Sequence, residues 1–144
     1  MTVAQAISIA VTFVWLGMVL AISFVEAPLK FRAPGVSLQV GLGIGRLVFR
    51  ALNSIEVGFA VILVVALALE HPSWIVVIAV GVAVVTLAAQ LIAVRPALNR
   101  RSDVVLSTPP GQAPTGRSRA HYGYVALELV KVVALIVGGI ALLA

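Results

Sequence analysis

Apolar positions fall into four long stretches, 3–24, 47–69, 74–94 and 122–143, and most of the charge lies in the short segments between them. A helix needs about 20 mainly apolar residues to cross a bilayer, and runs of this length are too long for strands. The pattern predicts an all-α protein: four transmembrane helices in an antiparallel bundle, a single integral membrane domain over residues 1–144, with connections at 25–46 and 95–121 and a tight turn at 70–73. Composition agrees, since 62% of residues are hydrophobic and 10% charged, against roughly 25% charged in soluble domains. The helices leave no room in these residues for a separate extramembrane domain. There is no cysteine, which excludes a disulfide framework, a thiol nucleophile and a thiolate metal site.

The net charge of +5 changes meaning once its placement is considered. Lys30, Arg32, Arg46 and Arg50 flank the first connection, and Arg95, Arg100, Arg101, Arg117 and Arg119 flank the third. The N-terminus, the 70–73 turn and the C-terminus carry no Lys or Arg. Short loops rich in Lys and Arg stay on the cytoplasmic side, so both basic connections are expected inside and both termini outside, in a multi-pass protein of the inner (plasma) membrane. Membrane lipids, including anionic headgroups, are then sufficient partners for the basic segments, and nucleic acid is not expected. The first stretch lacks the basic n-region and A-x-A-like site of a cleaved signal and reads as a retained helix. Trp74 fits an interfacial aromatic. Trp15 falls near mid-membrane and is expected inside the bundle with its N–H bonded.

The first connection holds Pro28, Pro34 and alternating glycines at 41, 43 and 45. Its spacing and context are not those of a dinucleotide fingerprint, and the glycines read as a flexible turn hugging the membrane surface. The third connection contains a Pro/Gly/Ser/Thr cluster at 107–116, expected to be mobile. The segments 25–32 and 94–101 resemble each other, each closing its helix around a proline. Aligning the halves on this faint repeat sets Glu56 opposite Lys131.

Polar residues inside the spans carry the candidate chemistry, because a charge in hydrocarbon is costly unless paired or facing a wet cavity. Arg46, Arg50, Asn53 and Glu56 recur at spacings of four, three and three, and so do His121, Tyr124, Glu128 and Lys131 at three, four and three. Each set lies along one helical face. With about 1.5 Å of rise per residue, Glu56, Glu128 and Lys131 reach matching depths. Gln90 and Arg95 approach the same half from the third helix, and Glu26 from the first. The candidate binding cluster is therefore Arg50, Asn53, Glu56, Gln90, His121, Tyr124, Glu128 and Lys131. Two roles are open: a buried ionisable site that binds or moves a small ion or solute, or structural glue in an accessory subunit, with Arg50–Glu56, Glu56–Lys131 or Glu128–Lys131 as ion pairs.

Other chemistry finds no footing. His71 and His121 fall at opposite membrane faces and cannot ligate one haem between them. Glu128-x-x-Lys131 is not the Glu-x-x-His of di-metal bundles, and no G-x-S-x-G occurs. No catalytic residue, metal or cofactor is expected, and the chain does not read as an enzyme. The residues 26–34, 45–53, Glu56, His121, Tyr124, Glu128 and Lys131 resemble an uncharacterised family of small bacterial four-helix integral membrane proteins. That resemblance implies fold and location over nearly the whole chain and lends no activity. Gly17 with Ala21, and Gly138 with Gly139, permit close helix or subunit contacts, so a homo-oligomer is expected.

Overall fold

The computed structural model describes residues 1–109, 111–112 and 119–144. Among them there is no strand. Four helices are long and apolar enough to cross a membrane: α1 (Val3–Arg32), α2 (Leu38–Ala68), α3 (Trp74–Ser107) and α4 (Arg119–Leu143). Thr2 and Ser37 cap α1 and α2, each side chain accepting a backbone N–H of its first turn, from Gln5 and Val40, which satisfies a donor the helix cannot. Helix α1 packs on α2 and α4, and α3 packs closely on α4 and more lightly on α2. The four form a ring. The N-terminus, the 70–73 turn and the C-terminus share one end, where Thr2 Oγ donates to Glu70 and Gln5 Nε2 reaches Leu142 O.

The bundle is apolar both inside and outside. Trp15, Val19, Leu52, Leu63, Val76, Ala83, Leu87 and Leu135 fill the interior, while Val61, Val85, Val133 and Ile140 face outward and are exposed. Helices hydrophobic all round are stable where the surroundings are themselves apolar. Four such helices make this a multi-pass membrane protein.

Three sequence expectations are corrected. Helices continue through much of both basic connections: α1 runs on to Arg32, α2 begins at Leu38, and α3 continues over Arg95–Ser107. Proline does not end α1 or α3 because each helix widens before it. Leu20–Glu26 and Gln90–Val94 are π-helical, with Ala27 N–H bonded to Ile22 O and Arg95 N–H to Gln90 O, and Pro28 and Pro96 follow each segment by two residues. A proline lacks the N–H and crowds the carbonyl four residues back, here Phe24 and Ile92, and the wider turn absorbs that conflict. The repeated proline segments thus share a distortion rather than a stop. Third, the glycines at 41, 43 and 45 are helical. A Cβ on Gly41 would run into the Phe31 ring, so this glycine leaves room for the Phe31 side chain against the start of α2.

At the other end of the bundle, a Cβ on Gly139 would meet Phe13 at 2.8 Å, a close approach between α1 and α4 of the kind expected for small residues. Gly17 and Ala21, by contrast, are exposed on the outside of α1. The expected mobile cluster at 107–116 begins at the last residue of α3, and its Pro110 and residues 113–116 lie outside the described residues.

Candidate functional site

Each helix delivers at least one polar side chain to a single point in the interior. From α4 come Glu128 and Lys131, three residues apart and hence on one face. Lys131 Nζ donates to Glu128 Oε1 at 2.6 Å and, across the bundle, to Glu56 Oε1 of α2 at 2.7 Å. Helix α1 supplies Trp15, whose indole N–H donates to Glu56 Oε1 at 2.9 Å, and Ser23, whose hydroxyl donates to Glu128 Oε2. Helix α3 supplies Gln90, whose Nε2 donates to Glu128 Oε1 at 2.9 Å. Glu56, Gln90 and Lys131 are fully buried, and Glu128 is 1% exposed.

The two π-helical segments position the donors to Glu128. Ser23 lies within Leu20–Glu26 and Gln90 opens Gln90–Val94. A π turn inserts a residue into the helical register and re-aims the side chains around it, and here both distorted stretches present a polar group to the same carboxylate. Three of the four carboxylate oxygens are thereby satisfied. Glu56 Oε2 is buried with no hydrogen-bond partner, as is Gln90 Oε1. With both carboxylates ionised, the triad carries two negative charges and one positive. An enclosed site with one uncompensated negative charge in low dielectric attracts one more small cation.

The remaining candidates sit elsewhere. Arg50 and Asn53 line a cavity between α2 and α3, so the Arg50–Glu56 pairing gives way to Lys131 with Glu56. Tyr124 is buried one turn before Glu128, its ring edge-on to Phe49 at 5.7 Å and its hydroxyl without a partner. His121 lies two turns before Glu128, its ring against Tyr122. Arg95 lines the same cavity as Arg50, and Glu26 pairs within α1 with Lys30 at 3.6 Å.

Sequence reasoning placed Trp15 inside with its N–H bonded, and it is, but did not join it to Glu56; Ser23 was missed. The signal was present. Ser8, Thr12, Trp15, Val19 and Ser23 recur at spacings of four, three, four and four on the buried or half-buried face of α1, a stripe that holds every polar side chain between Gln5 and Glu26. Compared with family models, curated proteins and solved structures, the chain matches none.

Proposed function

We propose that this membrane protein binds a small monovalent cation, such as H⁺ or Na⁺, at the Glu56–Lys131–Glu128 triad and moves it between the interior and the basic end of the bundle. The observation that carries this reading is the charge count of a sealed site: two carboxylates share one ammonium, and one carboxylate oxygen, Glu56 Oε2, is left without a donor. Intramembrane ionisable groups of this kind mark ion and proton routes, and helix distortions like those at Ser23 and Gln90 are common where a helix must bind or bend. In this reading the basic end faces the cytoplasm, in contact with anionic headgroups, and both termini lie outside.

A second reading has its own support. Each triad side chain is at most 1% exposed, and the network ties all four helices together, which suits a structural or accessory subunit whose buried charges hold the bundle. Flux separates the two. In proteoliposomes carrying gradients of H⁺, Na⁺ or K⁺, transport predicts flux of one of these cations that Glu56→Gln abolishes in a folded protein. Absence of flux for all three, or flux unchanged by Glu56→Gln, overturns transport and leaves the structural role.

A further inference from the structure

A second polar site lies beside the triad and has the opposite sign. Between α2 and α3, a cavity of about 390 Å³ is lined by Arg46, Arg50 and Asn53 from one helix and Arg95 and Asn99 from the other. Three guanidinium groups face it. Arg46 is bonded to Asp103 at 2.6 Å, a carboxylate whose side chain is 63% exposed. Arg95 lies over the Phe49 ring at 5.6 Å, which Lys30 also approaches, at 5.7 Å. Three cations against one carboxylate leave an excess of two positive charges at the cavity.

Asn53 adds a second, independent feature. It is 5% exposed, lines the cavity, and its Oδ1 is buried with no partner. A buried amide oxygen without a donor is costly to leave unpaired, and a turn of the Asn53 amide would offer it to a ligand hydroxyl in the cavity. Next to it, Ser54 Oγ donates to Arg50 O at 2.9 Å and keeps its own lone pairs for a donor.

We propose that this cavity binds an anionic phosphate ester that also carries a hydroxyl, its phosphate oxygens held by Arg46, Arg50 and Arg95 and its hydroxyl donating to Asn53 Oδ1. Guanidinium forks match phosphate oxygens two at a time, and basic pockets between membrane helices are suited to phospholipid headgroups. The same chemistry is offered by a phosphoglycerol headgroup and by a soluble phosphate ester such as glycerol 3-phosphate. The proposal uses none of the triad residues and stands or falls separately from cation transport.

The test takes the full chain, delipidated in neutral detergent. In one arm, native mass spectrometry follows retention of phosphatidylglycerol against phosphatidylcholine. In the other, calorimetry follows binding of glycerol 3-phosphate. The expected result is either one phosphatidylglycerol retained per chain with about tenfold preference, which identifies a lipid site, or saturable binding of the soluble ester, which identifies a solute site. In either case Arg50→Gln with Arg95→Gln removes the binding, while Arg32→Gln and Arg119→Gln leave it within about twofold. Should the double variant fail to fold, the exposed Arg50→Gln alone is expected to weaken binding several-fold. No preference and no saturable binding, or equal loss in Arg119→Gln, would overturn the proposal, the latter by showing only diffuse attraction to positive charge.

Discussion

Asn53 and Glu56 stand one helical turn apart on the same face of α2, yet they belong to different environments. Glu56 is sealed in the interior, with Lys131 and Trp15 on one oxygen. Asn53 borders an open cavity lined by three arginines, one of which, Arg46, pairs with Asp103. In the sealed site each charge needs a partner at hydrogen-bond distance, because solvation is unavailable. At the cavity, long arginine stems can carry their charge toward polar surroundings, so excess charge is tolerated. A shared helical face therefore does not mean a shared site; the depth and the neighbouring helix decide.

The strongest way to break that contrast is Lys131→Met. It strands two carboxylates in the interior, and loss of one partner from a buried ion pair costs about 3–5 kcal/mol, so thermal unfolding in detergent should shift down steeply. A small shift would mean that the triad is wetter than its burial indicates. Next comes Trp15→Phe, which keeps an aromatic ring in place but removes one donor from Glu56 and part of the indole's volume. Its expected cost is about 1–3 kcal/mol by chemical unfolding, and a neutral result would mean that the indole N–H does not help to hold Glu56. Gly41→Ala puts a methyl against the half-exposed Phe31 ring, which must turn aside, so it should gain less than Gly43→Ala, which meets nothing within 4 Å and should gain up to about 1 kcal/mol from the helix preference of Ala over Gly. Equal effects would show that α1 does not press against α2 there. Smallest of all, Arg46→Gln breaks the half-exposed pair with Asp103 and should change stability by about 0–1 kcal/mol. A loss matching that of Lys131→Met would erase the distinction between sealed and open charge.

The sequence makes part of this legible. Helical spacing and rise brought Glu56, Glu128 and Lys131 to one depth, and those residues touch. Gln90, approaching the same half from α3, reaches Glu128. Spacing alone could not separate Arg50 and Asn53 from Glu56, since all three lie on one face and only packing shows that the face divides between the bundle interior and the α2–α3 cavity. Nor could it show that α1 and α3 run past Pro28 and Pro96. A proline usually marks a helix end, and continuation through a π turn depends on neighbouring helices that cover the freed carbonyls. Ser23 was legible in the spacing of the α1 stripe, but an uncharged hydroxyl in a span draws less notice than the charges on the other helices.

A double-mutant cycle on Lys131 tests most directly whether the triad is one charge unit distinct from the cavity. Unfolding free energies would be measured in detergent for Lys131→Met, Glu56→Gln, Glu128→Gln and Arg50→Gln, and for Lys131→Met combined with each of the others. Residues in one buried network couple, typically by about 0.5–3 kcal/mol, while separate sites add. Lys131→Met should be less damaging when joined to Glu56→Gln or Glu128→Gln than the sum of the single losses, and strictly additive with Arg50→Gln. Additivity throughout, or coupling of Lys131 to Arg50 as strong as to the two carboxylates, would contradict the triad.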